Sequence, residues 1–187
     1  MLKYIYGVMG SSKTAQLLIT EYNYRKNGYT TVLIKPSIDT RDSNIRSRIG
    51  LERECDIFTK EDNLCKIEIF PVTSSQIILL VDEVQFCTKE QIEQLQRMGD
   101  KITVICYGLK TDYKTKLFEA SKRLIEIADE IEELPHICEC GKKAIINGLF
   151  IENKLQTQGE TIHIGDSEYK PLCYKCYKRY RDAAASK

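Results

Sequence analysis

Hydrophobic runs and polar breaks alternate along the first two thirds of the chain, predicting strands and helices in turn. Leu2 to Tyr6 is apolar and β-prone and runs directly into Gly7. From Lys13 onward Ala15, Leu17, Leu18 and Tyr22 recur at helical spacing until Lys26-Asn27-Gly28 stops the pattern. Thr31 to Lys35 then reads as a buried strand ended by Pro36. Strand, glycine-bearing loop, helix and strand make one βαβ unit. Ile77 to Val81 is the most hydrophobic run of the chain. It is too short for most helices and suits a central parallel strand covered on both faces. Thr88 is placed to cap a helix reaching about Arg97, with Glu90 and Gln91 in its first turn. Ile102 to Cys106 predicts another strand, followed by a loop from Tyr107 to Lys114 and a helix near Leu117 to Arg123. This alternation implies a doubly wound α/β core. Residues 37–66 are polar and irregular and predict no long element.

The pattern changes after Pro135, where close cysteine pairs, short β-prone stretches at 144–151 and 161–164 and a polar tail appear. We therefore expect two units, residues 1–134 and a small second domain at 135–187. Composition narrows the function classes. Lys plus Arg number 28 against 27 Asp plus Glu, a net charge of +1 that disfavours a protein devoted to coating nucleic acid or an acidic membrane. A hydrophobic fraction of 42% is enough to bury a core and argues against disorder. No apolar run approaches the ~20 residues of a bilayer span, and the apolar stretch at the N-terminus is too short and broken for a signal peptide. The expected location is the cytoplasm. In that reducing compartment Cys138, Cys140, Cys173 and Cys176 read as a metal site rather than as disulfides, while Cys55, Cys65, Cys87 and Cys106 read as ordinary thiols.

Candidate chemistry begins in the loop after the first strand. Gly7-Val8-Met9-Gly10-Ser11-Ser12-Lys13-Thr14 lies between a predicted strand and a predicted helix, the setting of a phosphate-binding loop. Gly7, Lys13 and Thr14 match the pattern of Gly, four residues, then Gly-Lys-Ser/Thr, but Ser12 stands at the second glycine position. A plain capped turn is the alternative. Lys13 would neutralise terminal phosphates and Thr14 would bind Mg²⁺. The partner such a site requires is an acidic residue at the end of a neighbouring hydrophobic strand, and Asp82-Glu83 follows Val81. Solvated loop carboxylates are the alternative there. Both halves together point to a nucleoside-triphosphate site.

GVMGSSKT, KPSIDTRDSNIRSRIG, DEVQF, YGLKTDY and the cysteine pairs flanking HIGDSEY occur in the order found in the cytosolic-type (type II) thymidine kinases, which this chain resembles from Tyr4 to Tyr177. The resemblance implies a P-loop, RecA-like parallel sheet flanked by helices, with a small zinc-binding domain carrying a lasso loop. It implies transfer of the γ-phosphate of ATP to the 5′-hydroxyl of thymidine or deoxyuridine, a homotetramer, structural zinc and feedback inhibition by the triphosphate end product. By position Glu83 matches the family's general base, Asp82 the magnesium-associated acid, and Arg41, after Asp39-Thr40, an arginine assisting at the phosphates. The nucleotide site would take in Gly7 to Thr14, Asp39, Arg41, Asp82, Glu83, Val84 and Gln85. Met9, Phe86, Leu109 and Tyr113 match positions around the thymine ring, with Tyr113 replacing a phenylalanine common in the family. Tyr169 matches a tyrosine over the nucleoside, and Thr161, Ile162, His163, Ile164 and Gly165 match the lasso. Without the resemblance Arg41, near Arg46 and Arg48, would read as a surface residue, and Met9, Phe86 and Leu109 as core.

Four thiolates can close a tetrahedral zinc site. Only Glu139 separates the first pair, so His136 is an alternative ligand. The second function class is a nucleic-acid-dependent ATPase, suggested by Lys170 to Arg181, where five cations and several tyrosines occur without an acid; a solvated zinc-domain flank is its plain alternative. A third is a non-catalytic nucleotide-binding relative, suggested by Ser12. Against that, Gly10 is expected to relax the loop enough to accommodate Ser12.

Overall fold

The computed structural model describes residues 1–37, 44–66, 76–160 and 168–185. In chain order β1 (Leu2–Tyr6) leads through the glycine loop into α1 (Lys13–Lys26) and back to β2 (Thr30–Pro36). Three short strands follow, β3 (Asn44–Arg46), β4 (Glu52–Glu54) and β5 (Asp56–Phe58), then β6 (Ile77–Val81), α2 (Lys89–Gly99), β7 (Thr103–Gly108), α3 (Glu119–Ile127) and β8 (Glu130–Glu133). The strands order as β5-β2-β6-β7-β1-β8, and every pairing in this sheet is parallel. β3 and β4 form a separate antiparallel pair.

The apolar run 77–81 takes the place its composition demands. All five residues of β6 are buried, and β6 sits between β2 and β7. Successive strand side chains point to opposite faces. Ile78 and Leu80 accordingly join Ile5, Leu33, Ile105 and Tyr107 against Leu17 and Leu18 of α1. Leu79 and Val81 join Leu2, Tyr4 and Val104 against Ile92 and Leu95 of α2 and Leu124 of α3. The helices therefore cover both faces of the sheet.

Local signals set the helix ends. Thr88 accepts from Gln91 N while the Gln91 side chain returns to Thr88 N, the reciprocal box expected before α2. α1 ends where Tyr29 N reaches Tyr24 O and Gly28 N reaches Arg25 O, both at 3.1 Å, with Gly28 at φ +84°. A residue with a Cβ would be strained there.

Three elements escape the hydrophobic pattern. β8 reads Glu-Ile-Glu-Glu, an edge strand whose polar side chains stay in water, and β5 is only three residues long. The tail predicted as polar forms α4 (Tyr174–Ala185), whose Cys176 and Tyr177 are buried.

The C-terminal part adds a small antiparallel sheet ordered β10-β9-β11, from β9 (Ile146–Ile151), β10 (Lys154–Leu155) and β11 (Tyr169–Leu172). Glu152 and Asn153 turn the β9–β10 hairpin at φ 50° and 61°, the pair of positive φ values a two-residue type I′ turn needs. Its core combines Ile146, Phe150, Leu155 and Leu172 with Tyr177 and, from the glycine loop, Val8. No helix among the described residues is long and apolar enough to cross a membrane.

Candidate functional site

Parallel strands deliver their carboxyl ends to one edge of the sheet, where loops can converge. At that edge the Gly7–Thr14 loop is tight for steric reasons. A Cβ on Gly7 would meet Ser11 Oγ at 2.3 Å and Leu134 O at 2.8 Å. Gly10 adopts φ +82°, and Ser12, which opens α1, adopts φ 63° and ψ 25°. Both residues thus share the left-handed turn that the missing second glycine would have eased. The first N–H groups of a helix have no intrahelical partner, and the helix dipole favours an anion at that end. Lys13 is 8% exposed and donates from Nζ to Gly7 O at 3.1 Å and Val8 O at 2.9 Å. Burial pulls its pKa below the usual lysine value, opposed by Glu83 and then Asp82. Ser11 Oγ is, among the described residues, the buried side-chain oxygen or nitrogen without a hydrogen-bond partner.

β6 delivers the carboxylates. Asp82, 4% exposed, is pushed up to about 7 by burial and by the Glu83 charge beside it, against hydrogen bonds from Glu83 N and the Thr14 hydroxyl and the charge of Lys13. Two carboxylates and a threonine hydroxyl form a hard oxygen set of the kind that suits Mg²⁺. Glu83 takes φ 50° and ψ 36°, a left-handed conformation that costs a residue with a Cβ about 1–2 kcal/mol. Its N–H donates to Asp82 Oδ1 at 3.0 Å, and its Oε2 accepts from Gln85 Nε2 at 2.5 Å. Val84 is fully buried in the core.

The expected ring of nucleoside residues is dispersed around this edge. Met9 N donates to Asn147 Oδ1 at 2.7 Å. Phe86 lies edge-on to Phe118, with ring centroids 5.9 Å apart. Leu109 N is held by Gln85 Oε1 at 2.9 Å. Tyr113, 3% exposed, directs its hydroxyl to Gln158 O at 2.9 Å and Glu160 O at 2.8 Å. Tyr169 opens β11 opposite Leu149. Asp39, Arg41, Thr161, Ile162, His163, Ile164 and Gly165 lie outside the described residues.

Two contributors were not visible in the sequence. Buried Asn147 joins the Gly7–Thr14 loop to β9 and donates to Thr111 O at 3.4 Å. Arg48 approaches Gly10, its Nη1 lying 3.8 Å from a Cβ built there, and its charge opposes that of Lys13. Asn147 sits in an apolar strand and Arg48 in a polar stretch, so only the fold could single them out. Gln85, expected in the nucleotide site, binds Glu83.

Cys138, Cys140, Cys173 and Cys176 bring their sulfurs within 4.8 Å of one another. Zinc–sulfur bonds of about 2.3 Å in a tetrahedron place sulfurs about 3.8 Å apart, so the cluster needs little movement to hold a metal. The N–H of Cys176 donates to Cys173 Sγ at 3.5 Å and is the largest cause drawing that thiol down, while burial pushes Cys176 up. His136 is not part of this group. It lies instead at the Gly7–Thr14 loop, where a Cβ on Gly10 would meet its Nε2 at 3.2 Å. The basic stretch at 170–181 is largely engaged in local contacts. Arg179 and Tyr180 bind Glu139, Arg181 pairs with Asp182, and Lys170 lies over the Phe150 ring.

A parallel sheet with a lysine-bearing glycine loop at one strand end and paired carboxylates at another defines a doubly wound α/β protein whose strand ends suit an anionic ligand. A family model described as thymidine kinase matches residues 1–177, and the chain belongs to that family. It is 41% identical to a thymidine kinase of Enterobacteria phage T4 over 93% of both chains. It is 39% identical to one from Shewanella oneidensis, over 96% of this chain and 97% of that one. It is 41% identical to one from Legionella pneumophila, over 95% and 89%.

Two stability effects follow from this geometry. Ser12→Gly should relieve left-handed strain of about 1–2 kcal/mol, less the ~0.5–1 kcal/mol glycine loses through unfolded-chain entropy, and so raise the urea midpoint modestly. Gly10→Phe should destabilise through its own φ and His136. Because the two residues share one turn, the changes should couple: the double variant should recover part of the Gly10→Phe loss, and strictly additive midpoint shifts would show that the positions do not compensate. Tyr113→Phe should cost about 1 kcal/mol in the same titration, since it removes the hydroxyl facing two carbonyls. An unchanged midpoint would show that this contact contributes nothing.

Proposed function

We propose that this thymidine kinase family member transfers the γ-phosphate of ATP to the 5′-hydroxyl of thymidine or deoxyuridine. The observation that carries the reading is the meeting of Lys13, Thr14, Asp82 and Glu83 at one sheet edge, beside the unpartnered Ser11 hydroxyl. That hydroxyl and the opening N–H groups of α1 fit a chain of phosphates. In this reading Gly7 to Thr14 hold the triphosphate, and Lys13 leaves its two carbonyls for the phosphate charge. Thr14 and Asp82 hold Mg²⁺, which when bound neutralises and aligns the phosphates. Asp82 is then freed from sharing a pocket with an uncompensated neighbouring charge.

Glu83 accepts the proton of the attacking hydroxyl, and its place at the end of a rigid buried strand fixes the reach of that carboxylate. Asp39 and Arg41 assist at the phosphates. Met9, Phe86, Leu109, Tyr113, Tyr169 and the stretch Thr161 to Gly165 surround the nucleoside. The sulfur cluster binds a structural zinc that pins both ends of the 141–172 segment within residues 135–187, the nucleoside-holding unit, while residues 1–134 form the nucleotide-binding unit. A homotetramer, feedback by the triphosphate end product and a cytoplasmic location complete this reading, and nucleic acid is not a partner.

Glu83→Gln should lower turnover by ~10²–10⁴-fold while ATP binding, measured by calorimetry, stays close to parental. Parental turnover in that variant would remove Glu83 from the mechanism. A coupled assay comparing thymidine with single-stranded DNA as activator of ATP turnover separates the kinase from an ATPase; stimulation by DNA alone would overturn the proposal. Metal analysis should find about one zinc per chain, and chelation should weaken thymidine binding more than ATP binding. Absence of zinc from purified protein would refute the metal assignment.

A further inference from the structure

We infer that Gln85 is a positioning residue for the general base, holding the Glu83 carboxylate in register with the nucleoside-facing end of β7. The inference rests on the assignment of Glu83 as base given above. Gln85 is 3% exposed, and both ends of its amide are engaged. Its Nε2 donates to Glu83 Oε2 at 2.5 Å, and its Oε1 accepts from Leu109 N at 2.9 Å. A carboxylate accepts only and a backbone N–H donates only, so a single amide orientation satisfies both partners. A flipped amide would set oxygen against carboxylate.

The far end of this bridge is fixed as firmly as the near one. Leu109 O accepts from the Tyr4 hydroxyl at 3.0 Å and from Ser121 Oγ at 2.6 Å, which ties the Leu109 peptide to β1 and to α3. Glycine at 108 leaves room for the bridge. A Cβ there would stand 2.6 Å from Gln85 Oε1, 2.9 Å from Val84 Cγ1 and 3.2 Å from Gln85 N. The backbone of Glu83 lies in a left-handed conformation that needs outside support to persist. Gln85 supplies that support at the side-chain end, so that the base points from a frame anchored in three elements rather than from a free loop.

The test measures phosphoryl transfer in single turnovers with labelled ATP, using the full chain and active-site concentrations set by ATP binding. Four proteins are needed: Gln85→Leu, Glu83→Gln, the double variant, and Gly108→Ala, which displaces Gln85 without altering it. Gln85→Leu should lower the rate roughly 10- to 100-fold, a part of the ~10²–10⁴-fold effect of the base itself, with thymidine and ATP KM within about twofold of parental. In the Glu83→Gln background it should change the rate by no more than about twofold, because a residue acting only through Glu83 has nothing left to position. Gly108→Ala should reproduce the loss with Glu83 present. An equal loss in both backgrounds, or a loss carried by KM, would assign Gln85 to packing or binding and overturn the inference. Collapse of Glu83→Gln with parental rates in Gln85→Leu would overturn it while sparing the base. Parental rates in Glu83→Gln would overturn the base assignment, and the inference with it.

Discussion

A lysine ammonium withdrawn from water between the carbonyls of its own loop and two neighbouring carboxylates is the interaction around which this molecule is organised. Burying a charge is unfavourable unless partners replace its hydration. Lys13 finds those partners only because β1 and β6 end at the same edge of one sheet. β7 lies between them, and the registers from Leu2 to Val104 and from Ile78 to Thr103 set their relative heights. A slip of one residue in the β6–β7 ladder would send Asp82 to the opposite face, and one in the β1–β7 ladder would displace the loop that carries Lys13. The apolar strand and the polar site are therefore one structural fact, since the strand is what aims the acid.

Local backbone rules are broken where this chemistry sits. Ser12 and Glu83 both hold left-handed conformations with a Cβ present, one at the phosphate end and one at the proposed proton-accepting end. Left-handed residues with a Cβ also occur at Thr115 and in the Glu152-Asn153 turn, while a glycine ends α1 and a reciprocal cap opens α2. Strain of this kind is maintained by its surroundings. At Glu83 those surroundings are the Asp82 carboxylate, the Gln85 amide and the turn closed by Phe86 N on Glu83 O at 3.1 Å.

Much of the sheet was legible because burial on both faces writes an unmistakable run such as Ile77 to Val81. The glycine-bearing turn between β1 and α1 was legible from Gly7 and its place between a strand and a helix, and the sulfur cluster through paired spacing. β8 was not, because an edge strand of Glu-Ile-Glu-Glu shows no apolar face. α4 was hidden by its charge, although Cys176 and Tyr177 turn inward. His136 looked like a ligand from its place two residues before Cys138, but proximity in sequence does not report direction, and it stands by Gly10. The roles of Asn147, Arg48 and Gln85 depend on contacts between distant segments, which no local pattern carries.

The position of β1 has a consequence for how the protein comes into being. β1 is not an edge strand: Leu2 pairs with Val104 on one side, and Lys3 pairs with Glu130 on the other. A chain leaving the ribosome N-terminus first must therefore carry an apolar, β-prone pentapeptide without its native neighbours until β7 and β8 have been made. Contacts so far apart in sequence close late and slowly. The Gly7–Thr14 loop, hung directly from β1, cannot acquire its shape before they do. Nascent chains are thus open to capture by chaperones or to self-association through that first strand, and this loop is among the last parts of the newborn molecule to take its native form.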